Sequence, residues 1–213
     1  MPDSLQRALG FAGAIVTLPL LVALGAALKL ETRGPALYRA VRVGEAGRAF
    51  TCFKLRTMHD GAAIPGTTGV TVAADSRVTR VGRLLRRFRL DELPQLWNVA
   101  RGDMRLVGPR PEDPRYVDLS DPLHREVFAS RPGITGLTQL VYADEAAMLD
   151  SPDPERQYRE AVLPAKLRID AAYLRSRSTA LDVWILVHTP LALLGRRVQL
   201  PAPIRLELDA IAR

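Results

Sequence analysis

Residues 8–28, ALGFAGAIVTLPLLVALGAAL, run for 21 positions without a charge. About 20 apolar residues suffice for a helix to cross the hydrocarbon core of a bilayer. Arg7 precedes the run, Lys29 follows it, and Pro19 stands near its middle. Several arrangements fit. The run can be a cleaved signal peptide, since the small residues Gly25, Ala26 and Ala27 follow an apolar stretch. It can be a straight transmembrane helix, or a buried core helix. It can also break at Pro19 and return to the side it entered. Proline lacks an N–H and its ring crowds the preceding turn, so a kink there has a cause. Arg7 on one side nearly balances Lys29 and Arg33 on the other, so charge does not choose an orientation.

The remaining length suits one domain with its own core. A single cysteine, Cys52, excludes a disulfide framework and a cysteine-based zinc site. Residues 36–43 and 50–55 alternate roughly apolar with polar around a Gly-Glu-Ala-Gly turn, which predicts a β-hairpin. Residues 59–76 are rich in Gly, Thr and Ala and read as a mobile loop. Residues 154–177 read as helix. Residues 179–194 are apolar but carry Asp182, His188 and Pro190, which fits an interfacial or core helix. Residues 199–213 read as a loosely attached tail.

The net charge is +7, and arginine supplies 27 of the 30 basic residues. A GC-rich genome explains arginine in place of lysine. It does not explain position: six of the seven excess charges fall in residues 77–110. Within that stretch, RVTRVGRLLRRFRL (77–90) predicts an amphipathic helix. At about 100° per residue, Val78, Val81, Leu84, Leu85 and Phe88 share one face, and Arg80, Arg83, Arg86, Arg87 and Arg89 the other. Such a face suits a solvated surface, anionic lipid or a phosphate-bearing ligand.

Asp91 and Glu92 follow the arginines directly. Acidic residues suit the first turn of a helix, which is reason enough for them to be there. Their setting allows more. Adjacent helical side chains diverge by about 100°, so two carboxylates can divide two tasks around one substrate. A carboxylate can attack phosphorus, or hold a hard cation such as Mg²⁺. Arg110, between prolines in Gly-Pro-Arg-Pro, reads as a preorganised phosphate clamp. Lys54 and Arg56 in FKLRT are similar candidates. No Walker A loop, GxGxxG, GxSxG or HExxH motif occurs.

The block 75–111, DSRVTRVGRLLRRFRLDELPQLWNVARGDMRLVGPRP, resembles the signature of the bacterial sugar transferase family, the monotopic polyprenyl-phosphate phosphoglycosyl transferases. The resemblance continues in FKLRTM (53–58), RPGITG (131–136), LPAKLRIDAAYL (163–174) and LDVWI (181–185). It implies a helix-rich α+β fold of the family's minimal form. A re-entrant membrane helix, residues 1–34 with its break at Pro19, would precede a catalytic domain, 35–198, and a tail, 199–213. The implied reaction moves a sugar-1-phosphate from a UDP-sugar to undecaprenyl phosphate with release of UMP. It passes through a phosphosugar on Asp91, requires Mg²⁺ at Asp91 and Glu92, and uses Glu92 in proton transfer. Arg86, Arg110 and Arg131 would contact donor phosphate or nucleotide. The domain would sit on the cytoplasmic face of the bacterial inner membrane, bound to lipid, as a homo-oligomer or alone, and engage no nucleic acid. A catalytically silent scaffold that binds anionic lipid is the alternative; the intact Asp91-Glu92 pair favours the enzyme. The chain departs from the family pattern at two places. Leu18-Pro19 stands where the family often has Ser-Pro, leaving Thr17 to supply any hydroxyl that stabilises a break. TQLVYADEAAM (138–148) replaces a common Gln-Val-(Ser/Asn)-Gly-Arg stretch.

Overall fold

A computed structural model describes residues 1–59, 70–72, 75–143, 145–149, 151–196, 198–202 and 204–205. The loop read at 59–76 lies mostly outside the described residues, as does the end of the tail.

The apolar run lies within one helix, α1 (Asp3–Glu31). It continues through Pro19, so the expected break is not an interruption of the helix. One missing N–H removes one bond of the ladder, and 29 residues of helix can carry that loss. Thr17 bonds back to the preceding turn, its Oγ1 donating to the Gly13 carbonyl at 2.7 Å. That is the hydroxyl contact the Leu-Pro departure required, and contacts of this kind bend helices.

Both ends of α1 rest on the rest of the chain. Near its start, Gly10 fits against Val99 so closely that an added Cβ would lie 2.8 Å from that side chain. Gln6 Oε1 accepts the Leu106 N–H at 3.0 Å, and Arg7 donates to the Ala100 carbonyl. Near its end, Leu21, Leu24 and Leu28 pack with Leu55 and Leu85. Burying a leucine side chain contributes about 1.5–3 kcal/mol, so this contact is substantial. The opposite side of α1 exposes Ile15, Val16, Leu18 and Val22.

The predicted hairpin forms as β1 (Leu37–Val43) and β2 (Ala49–Leu55), antiparallel, with Ala40 opposite Cys52. Ala46 and Gly47 take left-handed angles in the turn between them. The arginine-rich helix is shorter than its periodicity suggests. α2 spans Arg80–Arg87 because Thr79 caps it, accepting from the Gly82 N–H, and because Arg89 turns the chain with φ 51°. Its buried side is Gly82 and Leu85; Leu84 and Phe88 are exposed beside Arg83 and Arg87. A 3-10 turn, Leu90–Glu92, leads into α3 (Gln95–Arg101).

A second strand pair is absent from the sequence reading. β3 (Arg105–Val107) and β4 (Gly133–Thr135) are parallel, with Arg105 opposite Gly133. Three residues each are too few to show alternation. Glycines make the pairing possible: a Cβ on Gly133 would lie 2.1 Å from the Gly108 nitrogen, and one on Gly136 2.2 Å from the Gly108 carbonyl oxygen. α1, α3 and the later helix Thr179–Leu193 pack against this pair; α4 (Pro122–Phe128) precedes β4 in the chain, and α5 (Leu137–Val141) and α6 (Glu145–Met148) follow it. The helix read at 154–177 begins as α7 (Pro154–Gln157), passes through a π-turn at Tyr158–Val162, and continues as α8 (Leu163–Arg175). α9 (Thr179–Leu193) buries Asp182, Ile185 and Ala192 and exposes Val183 and Val187. The described residues of 198–205 are not loose: Ile204 is fully buried, and Val198 and Leu200 pack against the same cluster as Tyr173 and Ile185. The whole is helix-rich α+β, as the sequence indicates.

Candidate active site

The left-handed turn at Arg89 ends α2 and presents Asp91 and Glu92 between α2 and α3, against β2. α3 is fastened to that strand by Asn98, which is fully buried. Its side-chain amide donates to the Thr51 carbonyl at 2.7 Å, and its Oδ1 accepts the Phe53 N–H at 3.0 Å. Two strand residues and one helix turn are thereby held in register, and Lys54 reaches Glu92.

The two carboxylates differ sharply. Lys54 Nζ donates to Glu92 Oε1 at 2.8 Å, and Arg110 Nη2 donates to the same oxygen at 3.0 Å. Arg89 Nη1 stands 3.8 Å from the other oxygen. Burial pushes the Glu92 carboxyl up, but the charges of Arg110, Lys54 and Arg89 outweigh it and hold it well below the usual glutamate range. Asp91 is nearly as buried, yet no hydrogen bond or ion pair engages its carboxylate among the described residues. Burial, then the Glu92 charge, raise it above the usual aspartate range; Lys54, Arg86 and Arg110 only moderate the rise. One carboxylate is committed to cations, and its neighbour is free to react.

Arg110 is set by the loop that carries it. Its N–H donates to Asp170 on α8, a carboxylate that burial pushes up to about 7 and that also accepts from Thr138 Oγ1 at 3.0 Å. Two residues on, Glu112 accepts the Tyr158 hydroxyl at 2.6 Å, and Lys166 donates to that hydroxyl at 2.9 Å. Arg86 points inward from α2, its Nε donating to Thr57 Oγ1 at 2.7 Å, within the electrostatic reach of Asp91.

Lys54, Arg86, Asp91, Glu92 and Arg110 are therefore brought together. Arg56 and Arg131 are elsewhere. Arg56 is buried and donates to the Thr32 hydroxyl at 2.8 Å and to the carbonyls of Thr32 and Arg33, at the end of α1. Arg131 bridges Glu45 (3.0 Å) and Asp3 (3.1 Å), which pins the start of α1. Sequence reasoning missed Asn98, Thr57 and Asp170. Asn98 has a visible signal, a polar residue on the apolar side of a short helix; the other two show only in three dimensions.

Among the described residues, no three His, Cys, Asp or Glu side chains stand together as a cation cage. Mg²⁺ does not require one, since it is commonly held by one or two carboxylates and substrate phosphates. The uncommitted carboxylate of Asp91 fits that role, whereas Glu92 would have to release a cation to share it.

The bacterial sugar transferase profile matches residues 3–196. A UDP-N-acetylgalactosamine-undecaprenyl-phosphate N-acetylgalactosaminephosphotransferase from Aeromonas hydrophila is 35% identical, over 87% of this chain and 42% of its own length. A UDP-glucose:undecaprenyl-phosphate glucose-1-phosphate transferase from Caulobacter vibrioides is 48% identical, over 57% of this chain and 46% of its own. An exopolysaccharide production protein, PSS, from Rhizobium leguminosarum bv. phaseoli is 33% identical, over 85% of this chain and 89% of its own. The chain thus spans less than half the length of the first two relatives and most of the third.

Proposed function

The chain belongs to the bacterial sugar transferase family, and from that premise we propose that it transfers a sugar-1-phosphate from a UDP-sugar to undecaprenyl phosphate. The observation that carries the reading is the division of labour in the carboxylate pair: Asp91 raised and without a hydrogen bond or ion pair among the described residues, Glu92 clamped by Lys54 and Arg110.

In the proposed reaction an Asp91 oxygen attacks the β-phosphorus of the donor. The bond from that phosphorus to the oxygen bridging to the α-phosphate breaks, and UMP leaves with the electron pair. The acceptor's phosphate oxygen then attacks the same phosphorus, freeing Asp91 and giving the polyprenyl diphosphosugar. Lys54 has three N–H donors and Arg110 five, and Glu92 occupies only one from each in the geometry above. The rest remain for diphosphate oxygens, where positive charge counts most in phosphoryl transfer. A carboxylate held as low as Glu92 takes up a proton poorly near neutrality, so its part is to place those cations rather than to carry protons. Bound Mg²⁺ would supply further neutralisation of the diphosphate.

The placement of α1 supports a one-sided membrane attachment. Twenty-nine residues of helix measure about 44 Å, longer than the roughly 30 Å of hydrocarbon in a bilayer. A helix that crossed would carry its far end away from the domain, whereas here both ends rest on it. We therefore place α1 within one leaflet, its exposed apolar side in lipid, with the domain on the cytoplasmic face of the inner membrane. Exposed Leu84 and Phe88 beside Arg83 and Arg87 suit the same boundary.

The test is UMP release from UDP-glucose, UDP-N-acetylgalactosamine and related donors, with undecaprenyl phosphate and Mg²⁺. Sustained release that requires both substrates, with no more than about one UMP per chain formed from the donor alone, supports the function. No release from any UDP-hexose or UDP-N-acetylhexosamine would contradict it.

A further inference from the structure

The end of α1 is joined to the start of α2 by side chains. Glu31, the last residue of α1, accepts the backbone N–H of Arg80 at 2.6 Å and of Val81 at 3.0 Å. These are two of the N–H groups that a helix leaves unsatisfied at its beginning. Thr79 takes the next, accepting from Gly82 at 2.8 Å. One short helix is thus capped twice, once by its own flanking residue and once from 49 residues away.

Arg56 holds the same helix end from the strand side, through its bonds to Thr32 and Arg33. Thr57 stands between the two attachments. Its carbonyl accepts the Thr79 N–H at 3.0 Å, and its hydroxyl accepts from Arg86 Nε at 2.7 Å. Gly82 lies against that carbonyl so closely that a Cβ would be 2.2 Å from the oxygen. The end of α1, the strand exit at 56–57 and α2 therefore form one junction with no slack. Its far end carries Arg86 and then, past the left-handed turn at Arg89, Asp91.

We propose that Glu31 and Arg56 are positioning residues that fix α2 to the end of the apolar helix, so that the seating of α1 in the membrane sets the placement of Arg86 and Asp91. Neither residue touches the proposed donor. Each acts through α2 or Thr57. The activity readouts rest on the function proposed above; the exchange readout does not.

The experiment pairs kinetics with amide exchange on the full chain in lipid nanodiscs. Glu31→Ala lowers kcat about tenfold with donor KM within about twofold, and Arg86→Ala lowers it about a hundredfold. Because both act through one element, the double variant stays within about twofold of Arg86→Ala alone. Glu31→Gln, whose amide oxygen still accepts from Arg80 or Val81, restores most of the rate. Arg56→Lys, whose ammonium cannot span three acceptors, repeats the Glu31→Ala pattern. A double-variant loss equal to the product of the single losses overturns the proposal. In exchange, Glu31→Ala deprotects the amides of residues 82–87 and leaves those of α8 unchanged. Deprotection confined to Arg80 and Val81, or spread equally to α8, also overturns it. A wild-type chain that turns over no donor contradicts the proposed function instead, and the exchange result still decides this inference.

Discussion

Replacing Asp91 and Glu92 by their amides shifts stability in opposite directions. The Asp91 carboxylate is buried, has no hydrogen bond among the described residues, and sits beside another negative charge. Asp91→Asn keeps the shape and removes the ionised form that the fold disfavours. Relief of one poorly compensated buried charge is worth about 1–2 kcal/mol. For a chain of this size each kcal/mol moves the melting temperature by about 2–4 °C, so the variant melts about 2–8 °C higher. Glu92→Gln removes the countercharge of two cations that stay where they are. Breaking a buried pair costs about 3–5 kcal/mol; Lys54 and Arg110 are partly exposed, so about 3 kcal/mol is the better figure. That variant melts about 6–12 °C lower. The linkage signs agree. The raised Asp91 carboxyl favours the fold at low pH and loses that contribution as pH rises through its folded value. The depressed Glu92 carboxyl favours the fold above the ordinary glutamate range and loses that contribution as pH falls through its folded value. The assay is intrinsic-fluorescence melting in nanodiscs near neutral pH, with chelator present. UMP release, lost in both variants, cannot separate the two roles, whereas the sign of the melting shift can. A fall in melting temperature for both variants would refute the assigned division of labour.

Asp170 gives a pH test. Its carboxyl is pushed up to about 7 by burial, against about 3.9 unfolded, so its stabilising share declines as pH rises across that interval. Asp170→Asn should therefore gain stability relative to wild type from about pH 4 to about pH 7 and hold level above; a constant difference would show the group is not so perturbed. Arg131→Ala should leave donor KM unchanged, because Arg131 is engaged with Asp3 and Glu45; a rise of tenfold or more in KM would place it at the donor after all. Cysteines introduced by Pro2→Cys and Arg33→Cys should both resist an impermeant maleimide in intact spheroplasts and react once the membrane is opened. Native Cys52 is buried and gives little background. Labelling of either from outside would contradict the one-leaflet placement of α1.

The hairpin, the apolar helix and the carboxylate pair were legible because each follows from local pattern: alternation around a turn, an uncharged run, acids beside arginines. The boundaries of α2 were not, because periodicity continues smoothly past Arg87 while Thr79 and the left-handed Arg89 decide where the helix stops. Burial on α2 also departs from the wheel, which groups Leu84 and Phe88 with Leu85. The fold buries only Leu85 of the three. The β3–β4 pair was invisible, since its cause is the mutual approach of Gly108, Gly133 and Gly136 across more than 20 residues. Among the basic residues, type and motif selected Lys54, Arg56, Arg86, Arg110 and Arg131 alike. Only the partners separate them: three surround the carboxylates, while Arg56 and Arg131 hold the two ends of α1.

The central claim is that Asp91 attacks the donor's β-phosphorus. Intact-mass measurement of the protein incubated with a turned-over UDP-sugar and no acceptor tests it directly. The account predicts an increment equal to one sugar-phosphate, localised to Asp91 by fragmentation, absent in Asp91→Asn and discharged by undecaprenyl phosphate. UMP formation that requires the acceptor from the first turnover, with no adduct on the protein, would contradict it.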